Sequence, residues 1–412
     1  MKAGIITIGD EILVGQTIDT NSAFIAKELR KIGASITEIR SIADKEKAII
    51  ESIEDLKCSV DVIFITGGLG PTNDDITKRV LCKYFNDELE RNVVVEERIS
   101  DYFKSINREM KPSHYRQADL PKNAEIILND MGTASGMWFR NNEIQVISMP
   151  GVPYEMKGLI LKALPILQEE FNIGDFYHRT LLFQGLGETT IADKIQDIED
   201  NAKKKEISLA YLPSVGQVKV RFTGNENQKE LIDEFIKTTK DRFPFHLFGE
   251  ENDSLEGKIG ELLNLAKATV GTVESCTSGN LAARIVSVPG ASSYFEGSLL
   301  TYSYRLKSEL LGIPQELISN KGAVSQEVVE AMAKLGRERL NVDYCLSTSG
   351  IAGPGGGTAD KPVGTVWIGL ATKEKTISKK FQFKQNRERN IELSISHALN
   401  MLRIELLNLT ID

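Results

Sequence analysis

The sequence predicts an α/β protein in three segments: a parallel-sheet domain over residues 1–171, a small split-βαβ unit over 172–252 and a three-layer α/β domain over 253–412. Three observations predict this. In the first segment short β-branched runs alternate with amphipathic helical patterns, which implies a parallel sheet. The second has the order β-α-β-β-α-β of a ferredoxin-like unit. In the third, the run Ala268-Thr-Val-Gly-Thr-Val-Glu-Ser-Cys-Thr-Ser-Gly-Asn280 is a strand that ends in polar residues and opens a helix. At 412 residues the chain is long enough for two or three domains.

In the first segment, residues 3–8 form an apolar strand ending in Gly9-Asp10-Glu11, with Gly15 and Asp19-Thr20-Asn21 close behind. Residues 22–31 are a helix with Phe24, Ile25, Leu29 and Ile32 on one stripe and Gly33 closing it. A strand over 35–41 and a helix over 45–56 follow. The strand 61–66 delivers Gly67-Gly-Leu-Gly-Pro-Thr-Asn-Asp-Asp-Ile-Thr77, and the strand 144–149 ends in Pro150-Gly-Val-Pro-Tyr-Glu155. Parallel sheets bind ligands beyond their strand C-termini, and all three polar clusters fall there. Their glycines let backbone approach a phosphate. Asp10, Glu11, Asp74 and Asp75 are candidate ligands of a hard divalent cation. Asp19, Asn21, Gly67, Gly68, Gly70, Thr72, Pro150 and Glu155 are candidate substrate contacts. Lys78 and Arg79 either add a cation or are solvated helix residues.

The second segment reads as strands over 178–184, 207–212, 217–223 and 245–248 with helices over 187–198 and 228–243. Its central hairpin turns at Pro213-Ser-Val-Gly216. It holds no catalytic constellation and is assigned to bridging or dimer formation. In the third segment Ser254 caps a helix to Lys267, with Leu255, Ile259, Leu262, Leu263 and Ala266 inward. A helix over 279–288, a strand over 294–302 and a short helix to 311 come next. Gly322-Ala-Val-Ser325 caps a helix through 340, and the strand 343–349 runs into Gly350-Ile-Ala-Gly-Pro-Gly-Gly-Gly357. A β pair (362–372 and 376–383) and a closing helix (387–407) complete the chain. Ser275 sits where free helix N–H groups favour anions, which suits a nucleophile beside an oxyanion site.

The formal charge of −8 argues against a nucleic-acid surface as the main business. No apolar run approaches the roughly 20 residues of a membrane span. Met1 leads directly into a strand pattern, so a cytoplasmic location is expected. Cys58, Cys82, Cys276 and Cys345 lack metal spacing and are expected as reduced thiols.

Gly9-Asp-Glu-Ile-Leu13, Thr66-Gly-Gly-Leu-Gly-Pro-Thr-Asn-Asp-Asp-Ile-Thr77 and Met149-Pro-Gly-Val-Pro-Tyr-Glu155 resemble the N-terminal domain of the CinA (competence/damage-inducible) family. That domain is similar to the molybdopterin-binding fold. The resemblance implies a metal-dependent ADP-ribose pyrophosphatase using Mg, Mn or Co. Leu69 stands where the broader molybdopterin group has threonine, which favours the CinA branch. The middle segment resembles the family's KH-like domain. Glu274-Ser-Cys-Thr-Ser-Gly279, Gly290-Ala-Ser-Ser-Tyr-Phe-Glu-Gly297, Thr301-Tyr-Ser-Tyr-Arg-Leu-Lys307, Gly322-Ala-Val-Ser325 and Ser349-Gly-Ile-Ala-Gly-Pro-Gly-Gly356 resemble its C-terminal, PncC-type domain. That implies an amidase acting on nicotinamide mononucleotide (NMN) without a cofactor, in a homodimer. The family usually has glycine where Ser278 stands, and a positive φ there would strain serine.

No histidine lies in these motifs, so a lysine is the natural base. The family is similar to Ser/Lys hydrolases, which implies Ser275 as nucleophile, Lys307 as base and Tyr302 as relay, with Ser292 the rival nucleophile. The N–H groups of Thr277, Ser278 and Gly279 are candidates for the oxyanion or the substrate phosphate. Ser349 and Gly350 line the pocket, and Arg389, or else Arg387, clamps the phosphate. Cys276 reads as a small buried hydrophobe rather than a thiol nucleophile. The expected function is therefore a bifunctional hydrolase of NMN and ADP-ribose. A pterin- or nucleotide-binding module, or a regulator of DNA uptake, is the alternative.

Overall fold

The computed structural model describes residues 1–72, 75–174 and 176–407. They form two compact units, Met1–Phe176 and Tyr177–Asp412.

The first unit runs β1 (Lys2–Ile8), α1 (Asp10–Leu13), α2 (Thr20–Lys31), β2 (Ser35–Ile42), α3 (Glu46–Lys57), β3 (Val62–Thr66), α4 (Thr77–Tyr84), β4 (Leu89–Arg91), α5 (Val93–Ser105), α6 (Pro112–Tyr115), β5 (Asp119–Pro121), β6 (Glu125–Ile127), β7 (Gly136–Arg140), β8 (Gln145–Met149) and α7 (Pro153–Glu170). Six strands lie in the order β2-β1-β3-β8-β7-β6. The first four are parallel, and β7 and β6 turn antiparallel. Both faces are covered, so the central strands are continuous apolar runs rather than alternating ones. Ile5 and Phe64 face Ile25 of α2 and Ile160 of α7, whereas Ile6, Ile63 and Ile65 face Ile49 and Ile53 of α3. In the register Thr7 pairs Thr66, which pairs Met149. The loops after β1, β3 and β8 therefore leave the sheet side by side.

The second unit runs β9 (Phe176–Gln184), α8 (Glu188–Lys204), β10 (Ser208–Ser214), β11 (Gln217–Asn225), α9 (Lys229–Arg242), β12 (Leu247–Glu250), α10 (Leu255–Ala266), β13 (Val270–Glu274), α11 (Asn280–Val286), β14 (Phe295–Leu300), α12 (Tyr304–Glu309), α13 (Gln315–Lys321), α14 (Gln326–Leu340), β15 (Tyr344–Gly350), β16 (Thr365–Ala371), β17 (Thr376–Gln382) and α15 (Arg387–Leu406). A four-stranded sheet, β10-β11-β9-β12, carries α8 and α9 as the KH-like part. A five-stranded sheet, β14-β13-β15-β16-β17, is parallel across its first three strands. Helices α10, α11 and α15 pack on one face of it, and α13 and α14 on the other. Buried bonds tie the KH-like part to α15. Gln184 Nε2 donates to Ser396 Oγ at 2.9 Å, and the Arg403 guanidinium donates to the carbonyls of Phe245 and Leu247.

Caps form as the sequence predicts: Ser254 Oγ accepts from Gly257 N–H at 3.1 Å, and Ser325 Oγ from Val328 N–H at 3.4 Å. Ala266 is exposed instead of inward, because the last turn of α10 overhangs the core.

Candidate active sites

Ser275 follows β13 directly, and its N–H extends the ladder by donating to Thr348 O of β15 at 3.0 Å. The hydroxyl is thereby fixed at the sheet edge. Opposite it, Ser303 caps α12, accepting from Leu306 N–H at 3.2 Å, and the first turns of that helix deliver Lys307 inward. Lys307 is 1% exposed, and its Nζ lies 3.0 Å from Ser275 Oγ. The same nitrogen donates to Thr301 O at 2.7 Å and to Tyr302 O at 3.3 Å. Burial, with no carboxylate bonded to it, pulls this amine down to about 8. A neutral amine has two N–H bonds and one lone pair. The two carbonyls take the N–H bonds, which leaves the lone pair to accept the Ser275 O–H.

A residue that sequence reasoning passed over organises the turn. The Glu274 side chain is fully buried, and its carboxylate accepts from Gly279 N–H (2.9 Å), Leu281 N–H (3.1 Å), Ala282 N–H (2.8 Å) and Thr277 Oγ1 (2.6 Å). Ser278 N–H is spent on Ser275 O at 3.2 Å. The expectation that the amides of Ser278 and Gly279 receive a substrate anion is therefore corrected: an internal carboxylate already occupies this helix N-terminus. The Thr277 hydroxyl is consumed, between Glu274 and Thr348 Oγ1, whereas its predicted N–H meets no acceptor among the described residues. Among the described residues the Cys276 N–H meets no acceptor, and Cys276 lines the adjoining cavity. The thiol itself is pushed up to about 12 by burial and is no nucleophile.

Ser278 has φ 52°, in the left-handed region that strains any residue with a Cβ. Ser278→Gly is expected to raise stability by about 1 kcal/mol, roughly 3 °C in Tm for a unit of this size. Calorimetry checks this, and a fall in Tm would mean that the Ser278 Oγ bond to Ser275 O outweighs the strain.

The pair opens into a cavity of about 270 Å³, walled by the Gly350–Gly356 loop and by Tyr302, Tyr304 and Arg387. Ser349 and Gly350 line it as predicted, although the Ser349 hydroxyl donates to Ala323 O at 2.7 Å. Tyr302 also lines it. The contact Tyr302 makes with Lys307 is through its carbonyl, and the residue is 58% exposed. Two expectations are corrected here. Ser292 is exposed on a 3-10 turn and does not line this cavity, whereas Ser275 does. Arg389 lines a different cavity, beside Pro213–Gly216, and Arg387 reaches this one, its Nη1 donating to Gly353 O at 2.8 Å. Two residues along a helix turn roughly 200° about its axis, so only one of this pair can face the serine.

In the first unit the three predicted loops line one cavity of about 380 Å³, with Glu11, Gly67, Gly68, Gly70, Pro150 and Glu155 in its wall. Gly67 and Gly68 have φ 114° and 69°, which glycine alone adopts without strain. Four expected contacts are structural instead. Asp19 caps α2 and accepts the Thr7 hydroxyl, and Asn21 donates to Thr66 Oγ1 and Gly151 O. Asp75 accepts from the N–H groups of Gly70 and Thr72 and from the Thr72 hydroxyl, so it shapes the glycine loop. Lys78 is likewise spent, on the carbonyls of Arg116 and Asp119. Asp74 lies outside the described residues.

Asp44 was missed, although it follows β2 at the same sheet edge that flagged the other loops. Its Oδ2 accepts Asp10 N–H at 3.1 Å. Burial, and then the nearby charges of Asp10, Glu11 and Asp75, hold its pKa above the usual carboxylate range. Among the described residues no three His, Cys, Asp or Glu side chains stand in ligating geometry. The donor chemistry nevertheless fits a hard divalent cation, with Glu11 and Asp44 as clustered oxygens that repel one another without one.

The fold and the buried serine–lysine pair define a mixed α/β protein with a molybdopterin-type parallel-sheet domain, a KH-like middle and a C-terminal α/β domain. Residues 4–169 match the family model described as "Probable molybdopterin binding domain", 178–249 the CinA KH domain and 252–406 the CinA C-terminal domain. A CinA-like protein of Flavobacterium psychrophilum is 42% identical over 99% of both chains. One from Cytophaga hutchinsonii is 42% identical over 98% of each, and a putative competence-damage inducible protein of Halothermothrix orenii is 37% identical over 98% of each. The chain belongs to the CinA family. No helix among the described residues is long and apolar enough to cross a membrane.

Proposed function

We propose that the C-terminal part hydrolyses the carboxamide of NMN to nicotinate mononucleotide and ammonia. One observation carries this: the Lys307 amine, held near 8, lies 3.0 Å from the Ser275 hydroxyl. Ser275 Oγ bonds to the carboxamide carbon as its proton passes to Lys307 Nζ. The tetrahedral oxyanion forms near Cys276 N–H. Lys307 then returns the proton to the departing nitrogen, the C–N bond breaks and ammonia leaves an ester on Ser275. Water attacks that ester, its proton goes to Lys307 and on to Ser275 Oγ, and nicotinate mononucleotide departs. Arg387 lines the cavity and supplies the guanidinium for the phosphate. The chain works as a homodimer, as the family resemblance implies.

We infer further that the first unit cleaves ADP-ribose to AMP and ribose 5-phosphate. Its glycine-walled cavity suits a diphosphate, and Glu11 and Asp44 would hold the divalent metal. When bound, that metal neutralises the diphosphate and supplies an activated water. The loop after β3 brings backbone close to the phosphates, and Asp75 keeps the loop in shape.

Product analysis tests both halves. NMN is expected to release ammonia equally with and without chelator, and ADP-ribose to release AMP only with Mg, Mn or Co. No ammonia from NMN would overturn the first assignment, and no AMP under any metal the second.

A further inference from the structure

The glycine-walled cavity of the first unit has a neighbour. A second cavity, of about 660 Å³, shares Thr133 and Glu155 with it, so the two adjoin. Their chemistry differs. Among the described residues no lysine or arginine lines the first, whose side-chain charges are all carboxylates. The second carries both signs, Arg108 and Lys111 with Glu109 and Glu155, together with the aromatic residues Tyr102, Phe103 and His114. Phe103 and His114 stack with ring centroids 4.3 Å apart, an aromatic pair in the lining of this second cavity. Gln117 closes the first cavity. It is 4% exposed, and its amide nitrogen has no partner among the described residues. A buried, unpaired donor is costly, so a water or a ligand has to supply the acceptor. Gln117 lines the cavity and the terminal torsion of glutamine is soft, so its amide can adjust to a ligand there.

We infer that these two cavities form one bipartite nucleotide site, in which Gln117 donates to the diphosphate and the nucleoside arm lies against Phe103 and His114. This rests on the diphosphate assignment above. An acidic wall receives a diphosphate only with its own cation, and the neutral Gln117 amide can approach that complex without competing with the metal. The arm bearing the planar base then has the aromatic cavity within reach through Thr133 and Glu155. Base stacking on such a pair makes binding depend on it.

The test uses the full chain with Mn²⁺. In wild type, AMP release from ADP-ribose is followed, and AMP binding is measured by calorimetry. His114→Ala is expected to raise KM for ADP-ribose about tenfold with kcat nearly unchanged, the signature of lost uniform binding. Gln117→Leu is expected to do the same without lowering the unfolding midpoint, since it deletes an unpaired donor. Arg108→Ala, at an exposed position, repeats the test should His114→Ala misfold. If wild type cleaves ADP-ribose and the variants keep its KM, the bipartite site is wrong and the hydrolysis assignment stands. If wild type cleaves nothing yet binds AMP more tightly than the variants do, the site stands and the hydrolysis assignment falls. Neither cleavage nor AMP binding overturns both.

Discussion

Lys307→Met is expected to abolish ammonia release from NMN, by roughly 10³-fold or more, while the chain stays folded and becomes no less stable. Methionine retains the unbranched stem and removes only the amine. Ser275→Ala should cost a similar factor, and the double variant little more, because the two act as one unit. In wild type, kcat/KM should rise with pH and level off above about 8, where the amine is neutral. Stability has its own pH dependence. Burial holds the folded-state amine at about 8 against an ordinary 10.5, so between these values the unfolded chain binds more protons. Stability contributed by this group therefore rises with pH through that window, and below about 8 the buried charge opposes folding. At pH 7 Lys307→Met is accordingly expected to gain stability, on the order of 1–2 kcal/mol. Ammonia assays from pH 6 to 10 and urea unfolding at pH 7 check both halves. A variant that retains wild-type deamidation removes Lys307 from the reaction.

The serine–lysine pairing was legible in the sequence because each partner carried a local signal. Ser275 ends a β-branched strand, and Lys307 lies just past the neighbouring strand, so the parallel pairing of β13 with β14 brings them to one edge. The same rule placed the glycine loops of the first unit, and long periodic helices such as α2, α14 and α15 appeared nearly at their predicted bounds. Strands β4, β5 and β6, three residues each, are too short for alternation to register. At the sites, the errors came from hydrogen-bond competition, which spacing does not encode. Asp19 looks like a substrate contact and Asp75 like a metal ligand until their oxygens are seen to accept from a helix cap and loop amides. Arg389 and Arg387 are equivalent in composition, and only helix rotation separates them. Gln117 carries no sequence signal, since neither a glycine motif nor a charged neighbour at a strand end points to it.

Glu274→Ala is expected to lower the stability of the second unit by about 4 kcal/mol, the largest loss from any single side chain in the turn. Its carboxylate satisfies three backbone N–H groups and the Thr277 hydroxyl, and of these donors Leu281 and Thr277 are buried while Gly279 and Ala282 are half-buried. Each orphaned donor costs about 1–3 kcal/mol, and partial relaxation of the turn recovers some of that. For a unit of this size the expected change is a Tm lower by roughly 10 °C. Glu274→Gln should fall between, near 2 kcal/mol, because one oxygen still accepts while the amide nitrogen faces donors. Deamidation should fall in both variants. Glu274 holds the start of α11, and Ser275 is its immediate neighbour, so loosening the turn moves the hydroxyl off the Lys307 lone pair. Calorimetry resolves the two units if they melt separately, and the transition of the first should not move. A Tm change of less than about 3 °C for Glu274→Ala would mean that water or a rearranged backbone replaces the carboxylate, and that the turn around Ser275 is held by the sheet alone.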